Sequence, residues 1–214
     1  MKRTLVIGDL HGALKALEQV LQKCNYTEED QLIFLGDYVD GNSESAELIE
    51  YLIELQLRAQ GNHIFILGNH DVWCRDFLNF GDRNPNWLVQ GGQATLDSYM
   101  KTGFFMKESH RHFFSTLYPY YIDNENRAFV HGGFTSEKGL GNEEYQADYF
   151  WDRSLWSLAF TTSKETPKQF LNHKEIYIGH TTTNAIEIEP HFPEYEDINQ
   201  LKSGKITVPM NRLN

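Results

Sequence analysis

Only two of the 214 residues are cysteine, Cys24 and Cys74, and neither a Cys-x-x-Cys pair nor a zinc-finger spacing occurs. Both read as small apolar core residues of a protein from a reducing compartment, so a disulfide framework and a thiolate metal site are excluded. Basic residues are also scarce: 19 Lys and Arg stand against 30 Asp and Glu, a formal net charge of −11. That balance argues against a nucleic-acid partner held over a broad basic face. No apolar run approaches the roughly 18–20 residues of a membrane span. The first apolar run breaks at Gly8-Asp9, too short for a secretory leader. The expectation is a cytoplasmic protein with no membrane partner. Repeats and low-complexity segments are missing too, and 40% hydrophobic with 14% aromatic residues exclude a disordered chain. A chain of this length buries a core without staples, and one domain over residues 1–214 is expected.

What is present is an alternation of strand and helix patterns. Thr4 to Ile7 is a short apolar run rich in β-branched residues, followed by Leu14, Leu17, Val20 and Leu21 at helical spacing. Gln31 to Leu35 is a second run, and Ala46, Ile49, Leu52 and Ile53 mark a second helix with Asn42 or Ser43 as its N-cap. His63 to Leu67 is the third. Such β-α-β units predict an α/β fold, with central β-sheet flanked by helices. Residues 73 to 121, rich in aromatic and polar residues and broken by glycines, are expected to form a cover of helices and loops over one end of the sheet. Strand character returns at Arg127 to Val130 and Glu175 to Ile178, and more weakly at Ala185 to Ile188 and Lys205 to Val208.

Five of these runs end in glycine beside a side chain that can hold a metal. In order they are Gly8-Asp9-Leu10-His11-Gly12, Gly36-Asp37-Tyr38-Val39-Asp40, Gly68-Asn69-His70-Asp71, His131-Gly132-Gly133 and Gly179-His180-Thr181. The carboxyl ends of strands in open α/β sheets form the ligand crevice. A Gly-Asp after one strand is usually a turn, and a lone histidine is usually a hydrogen-bonded residue of core or surface. Joint occurrence at successive strand ends is much harder to obtain by accident. The mixed oxygen and nitrogen set suits hard or borderline divalent ions such as Mn, Fe, Zn or Co. There are enough ligands for two ions, and a shared carboxylate could hold them about 3.5–4 Å apart.

These segments resemble the calcineurin-like metallophosphoesterases, and within them the bacterial branch of the phosphoprotein phosphatases. The resemblance implies the β-α-β sandwich of that family and two divalent ions, with Mn favoured. One ion would be held by Asp9, His11 and Asp37, the other by Asp37, Asn69, His131 and His180. It implies catalytic roles for His70, which would protonate the leaving group, and for Asp40, which would orient His70. A hydroxide bridging the ions would attack phosphorus in line with the leaving oxygen. The implied reaction is metal-dependent hydrolysis of phosphomonoesters, with a phosphorylated protein or peptide (Ser/Thr or Tyr) or a phosphorylated small molecule as substrate. Hydrolysis of nucleotides, in the manner of a symmetrical diadenosine tetraphosphatase, stands as the alternative, and a binding scaffold that has kept the fold stands as a third.

The chain departs from that pattern in three places. Asp40-Gly41-Asn42 stands where the family has Asp-Arg-Gly, so an arginine that would contact phosphate is missing. Arg153 reads either as a helix-surface cation or as the replacement phosphate ligand, with Arg75 and Arg111 as fallbacks. Asp71 occupies a position where Glu is common, a change expected to matter little. The resemblance also implies further strands after His180, so the sheet is expected to be truncated at the C-terminus or to finish differently. Among the remaining residues, His63 is expected to be structural, and His110 and His112 to lie on the surface. Tyr149, Trp151 and Trp156 are expected in the core, while His173 and His191 carry no assigned role.

Overall fold

The computed structural model describes residues 3–159 and 167–182. Ala185 to Ile188, Lys205 to Val208 and His191 lie outside the described residues. Two three-stranded sheets form the centre. The first joins β1 (Thr4–Ile7), β2 (Gln31–Phe34) and β3 (Ile64–Phe65) in that order, all parallel, with Thr4 opposite Gln31 and Ile33 opposite Ile64. The second orders β4 (Tyr120–Ile122), β5 (Arg127–Val130) and β6 (Glu175–Tyr177), with β4 antiparallel and β6 parallel to β5. The strand β4 begins within the stretch expected to be cover alone.

The two sheets share an apolar layer. Ile33, Leu35 and Ile66 of the first meet Phe129 and Tyr177 of the second, all buried. Backbone bonds of Tyr118, from its N–H to the Phe65 carbonyl and from the Leu67 N–H to its own carbonyl, carry the chain from one sheet toward the other. On the outer face of the first sheet lie α1 (Leu14–Lys23) and α2 (Ser45–Arg58), which point Leu17, Leu21, Leu48, Ile49 and Leu52 inward at helical spacing. On the outer face of the second, α7 (Asp148–Trp151) and α8 (Ser154–Ala159) supply Tyr149, Phe150 and Leu155. Two sheets flanked by helices are the expected architecture.

Between the sheets in sequence come α3 (Asn69–Phe80), the one-turn α4 (Pro85–Trp87), a kinked turn (Leu88–Gly92), α5 (Gln93–Thr102) and α6 (Glu108–Ser115). Helix α5 packs on α2, and α6 packs on α2 and α3. The N-cap of α2 is Glu44, without a side-chain bond, rather than Asn42 or Ser43. Asn42 is engaged elsewhere, with its N–H and Nδ2 both donating to the His11 carbonyl. His110 is fully buried, not superficial: Tyr99 and Glu50 bind its two ring nitrogens at 2.9 and 2.8 Å. His112 is exposed. His63 is buried against Tyr26 and the Leu32 N–H, and His173 accepts the Leu140 N–H. Among the described residues no helix is long and apolar enough to cross a membrane.

Candidate metal centre

Five of the six described strands, all but β4, end by delivering one or two polar side chains to a common crevice. Asp9 and His11 follow β1, and Asp37 and Asp40 follow β2. Asn69 and His70 open α3 just after β3, His131 follows β5, and His180 follows β6. The turns that present them are tight. Seven described non-glycine residues have positive φ, and four of these are His11 (47°), Asp37 (53°), Asp40 (77°) and His180 (63°). Left-handed backbone at such residues is costly and gathers at functional sites. Gly68 shows the same crowding: a Cβ there would run into the Asp37 carboxylate.

The side chains fall into two three-residue groups that share Asp37. Ligand atoms of Asp9, His11 and Asp37 lie within 4.8 Å of one another, as do those of Asp37, His131 and His180. His11 Nε2 is 4.0 Å from Asp9 and 3.8 Å from Asp37, and His131 Nε2 is 3.2 Å from Asp37 and 3.1 Å from the Asn69 amide oxygen. Backbone carbonyls set the tautomers. Nδ1–H of His11 donates to the Val39 carbonyl at 3.0 Å, and that of His131 to the Leu35 carbonyl at 2.8 Å. A carbonyl can only accept, so Nδ1 carries a proton in both rings and Nε2 is the atom that a cation would take.

Electrostatics follow from crowding unlike charges in a buried place. Burial opposes ionisation of Asp37, but the neighbouring imidazoles outweigh it and hold its carboxyl far below the usual range. Burial alone would lower His131, yet the Asp37 charge beside it pushes the imidazole up to about 9. Asp9 is raised, chiefly by burial, although the His180 N–H donates to both its oxygens at 3.1 Å. His180 is pulled down to about 3, first by burial and then by the charge on His131. A neutral His180 offers a lone pair at Nε2, and that buried atom has no hydrogen-bond partner among the described residues. Such an orphan calls for a ligand. Two carboxylates, an amide oxygen and three imidazoles, where a cation displaces any proton on Nε2, therefore fit divalent cations of borderline softness.

His70 stands beside this set. Its Nδ1–H donates to Asp40 Oδ2 at 2.5 Å, and its ring meets that of His11 edge-on at 5.0 Å. Burial lowers the imidazole, but the Asp40 hydrogen bond and the Asp37 charge prevail, and it sits above its ordinary value. Trp73 packs edge-on to His70 and to Trp151, and Trp151 lies 6.2 Å from His180. Trp151 is 43% exposed rather than in the core, because α7 ends there and its ring leans over the crevice wall instead of inward. Tyr149 is buried and Trp156 packs at the core edge.

Arg153 reaches the same edge, where its Nη1 donates to the His180 carbonyl at 2.9 Å. Arg111 does not: it binds the carbonyls of Leu78, Phe105 and Met106. Arg75 pairs with its neighbour Asp76. Sequence reasoning assigned Asp71 no role and passed over Trp87 and Thr95. Asp71 is buried and accepts the backbone N–H groups of Asp37, Tyr38 and Gly68. Burial and the nearby Asp37 charge push its carboxyl up to about 8 against the pull of those donors. Its place at the third position of α3, where a carboxylate can reach back to the N-cap, was the available signal.

The model of the calcineurin-like phosphoesterase family matches residues 2–203. A symmetrical bis(5'-nucleosyl)-tetraphosphatase of Marinomonas sp. (strain MWYL1) is 41% identical over 70 residues, 32% of this chain and 24% of that protein. An asymmetrical bis(5'-nucleosyl)-tetraphosphatase of Oceanobacillus iheyensis is 28% identical over 159 residues, 68% of this chain and 61% of that one. This chain thus spans a quarter to three-fifths of the length of these curated relatives. Among solved structures, a Saccharomyces cerevisiae protein serine/threonine phosphatase superposes with a TM-score of 0.62 at 17% identity, over 97% of this chain and 67% of that one.

Proposed function

Because this chain belongs to the calcineurin-like phosphoesterase family, we propose that it is a hydrolase of phosphomonoesters that depends on two divalent metal ions. Asp9, His11 and Asp37 would hold one ion, and Asp37, Asn69, His131 and His180 the other. Bound there, the ions would supply Lewis acidity toward phosphoryl oxygens and a water of lowered proton affinity. The observation that carries this reading is Asp37, whose carboxylate belongs to both ligand groups. His70 would give its Nε2 proton to the departing oxygen, with Asp40 fixing the tautomer through Nδ1. Arg153 would contact the phosphate from the His180 side. The shared apolar layer between the sheets supports one domain for the whole arrangement.

Phosphorylated peptides are the substrates we favour. The relatives that cleave bis-nucleosyl tetraphosphates keep a nucleotide substrate as the second reading. The Trp73–Trp151 pair beside His70 supports a planar group on the leaving side in either case, a tyrosyl ring or a base. The test is to strip the protein with a chelator, reload it with Mn, Fe, Zn or Co, and assay para-nitrophenyl phosphate, phosphopeptides and diadenosine tetraphosphate. Activity that vanishes with the metal and returns with Mn is the expected result. A chain that binds no metal and cleaves none of the three is a binding scaffold, and the proposal is then wrong.

A further inference from the structure

The helical cover reaches the crevice at the Asp40 carboxylate. Asp40 is fully buried, and its two oxygens receive three donors. Thr95 Oγ1 donates to Oδ1 at 2.6 Å, and Trp87 Nε1 donates to Oδ2 at 2.7 Å, beside the Nδ1–H of His70. The Thr95 hydroxyl also accepts the backbone N–H of Asp40 at 2.9 Å. Having one proton, that hydroxyl spends it on the carboxylate, so the 3.0 Å contact with Ser45 runs with Ser45 as donor. The kinked turn Leu88–Gly92, where Gln90 and Gly91 leave helical geometry, makes this convergence possible. It brings two donors eight residues apart to one carboxylate, and within it the carbonyl of Gly91 (φ 104°) accepts the Gly41 N–H at 3.2 Å. A Cβ on Gly91 would sit 2.7 Å from that nitrogen, so only glycine allows the approach.

We propose that Trp87 and Thr95 are positioning residues for His70, acting through Asp40; the inference rests on the function proposed above. A carboxylate with one partner is free to turn about its own Cβ–Cγ bond, and the imidazole turns with it. Donors on both oxygens leave the carboxylate one orientation, and hence leave the His70 ring one plane and one tautomer. Asp40, Trp87 and Thr95 are all fully buried, and Trp87 and Thr95 are held by α4 and α5, which keeps the geometry fixed without a substrate present. The cover thus supplies two of the three donors to the Asp40 carboxylate, Thr95 and Trp87.

The test compares Thr95→Val, Thr95→Ser and Trp87→Phe with the wild-type holoenzyme in two measurements. The first is the ratio of rates on para-nitrophenyl phosphate, which needs little protonation of its leaving group, and on a phosphoserine peptide, which needs much. Thr95→Val and Trp87→Phe should lose on the order of tenfold more on the peptide than on the aryl ester, and Thr95→Ser should recover the wild-type ratio. The second is the low-field proton resonance of the His70 Nδ1–H in zinc-loaded, nitrogen-15 histidine-labelled protein, assigned by its loss in His70→Asn. It should move upfield in Thr95→Val and Trp87→Phe and stay in place in Thr95→Ser. Equal losses on both esters with an unmoved resonance overturn the proposal. Should Thr95→Val fail to fold, Trp87→Phe and Thr95→Ser decide the matter in the same way. If the wild-type chain cleaves no ester, the proposed function falls, and the resonance alone still decides the clamp.

Discussion

The Asp71 carboxylate accepts the backbone N–H of Asp37 at 2.8 Å, in a fully buried contact between two acidic residues 34 positions apart. The same carboxylate takes the N–H of Tyr38 at 2.9 Å and that of Gly68 at 2.8 Å. It therefore ties the turn after β2 to the turn after β3, and with it the one side chain shared by both ligand groups. Asp71→Ala would leave three buried N–H groups unpaired. At about 1–3 kcal/mol each, the expected loss of stability is at least about 3 kcal/mol, read by urea unfolding. A midpoint within error of wild type would show that the turns hold without it.

Asp37→Asn weakens both ligand groups at once. The expected outcome is loss of cation from both sites on dialysis, read by elemental analysis, with turnover falling accordingly. Retention of two ions per chain and near wild-type turnover would contradict the shared-ligand assignment.

His70→Asn should leave metal content intact, since His70 is in neither ligand group. Turnover of esters with poor leaving groups should fall by roughly 10²–10⁴-fold, and that of an activated aryl phosphate by much less. Equal losses on both, or loss of metal, would assign His70 a different role.

Arg153→Ala removes a guanidinium that is anchored on the His180 carbonyl and stands at the open edge of the crevice. A rise in KM and a fall in kcat/KM on the order of tenfold to a hundredfold are expected, the loss of one charge-assisted contact. If kcat/KM is unchanged, Arg153 serves only to brace the His180 turn.

Asp30 predicts a pH effect far from the crevice. Hydrogen bonds from the Arg3 guanidinium at 2.9 and 2.6 Å hold its carboxyl well below the usual range, against the opposing effect of burial. The folded state binds this proton less readily than the unfolded one. The pair therefore stabilises above the ordinary aspartate pKa of about 3.9, and the benefit disappears as pH falls from there toward the lower folded value. Asp30→Asn should lower Tm at pH 7, and the gap to wild type should narrow steadily as pH falls below about 4. Arg3 is half exposed, so added salt should also narrow it. A gap that widens in acid would reverse the sign of this argument.

Sequence alone determined the strand ends and what they carry. Short β-branched runs closed by glycine and a metal-competent side chain are local patterns, and they mark Asp9, His11, Asp37, Asn69, His131 and His180 without any knowledge of packing. Local periodicity likewise sets α1 and α2, because an apolar stripe at helical spacing can be buried in only one way. Tertiary structure decided everything that depends on which distant group crosses to meet another. His110 looks superficial beside His112, yet Glu50 and Tyr99 enclose it. Trp151 looks like core, yet it ends its helix at the crevice. Asn42 looks like a cap, yet it is drawn to the His11 carbonyl. Trp87 and Thr95 carry no local mark at all, since they act on Asp40 across 47 and 55 residues. A hydrogen bond over such a span is chosen by how helices pack, and the spacing of residues along the chain does not encode that choice.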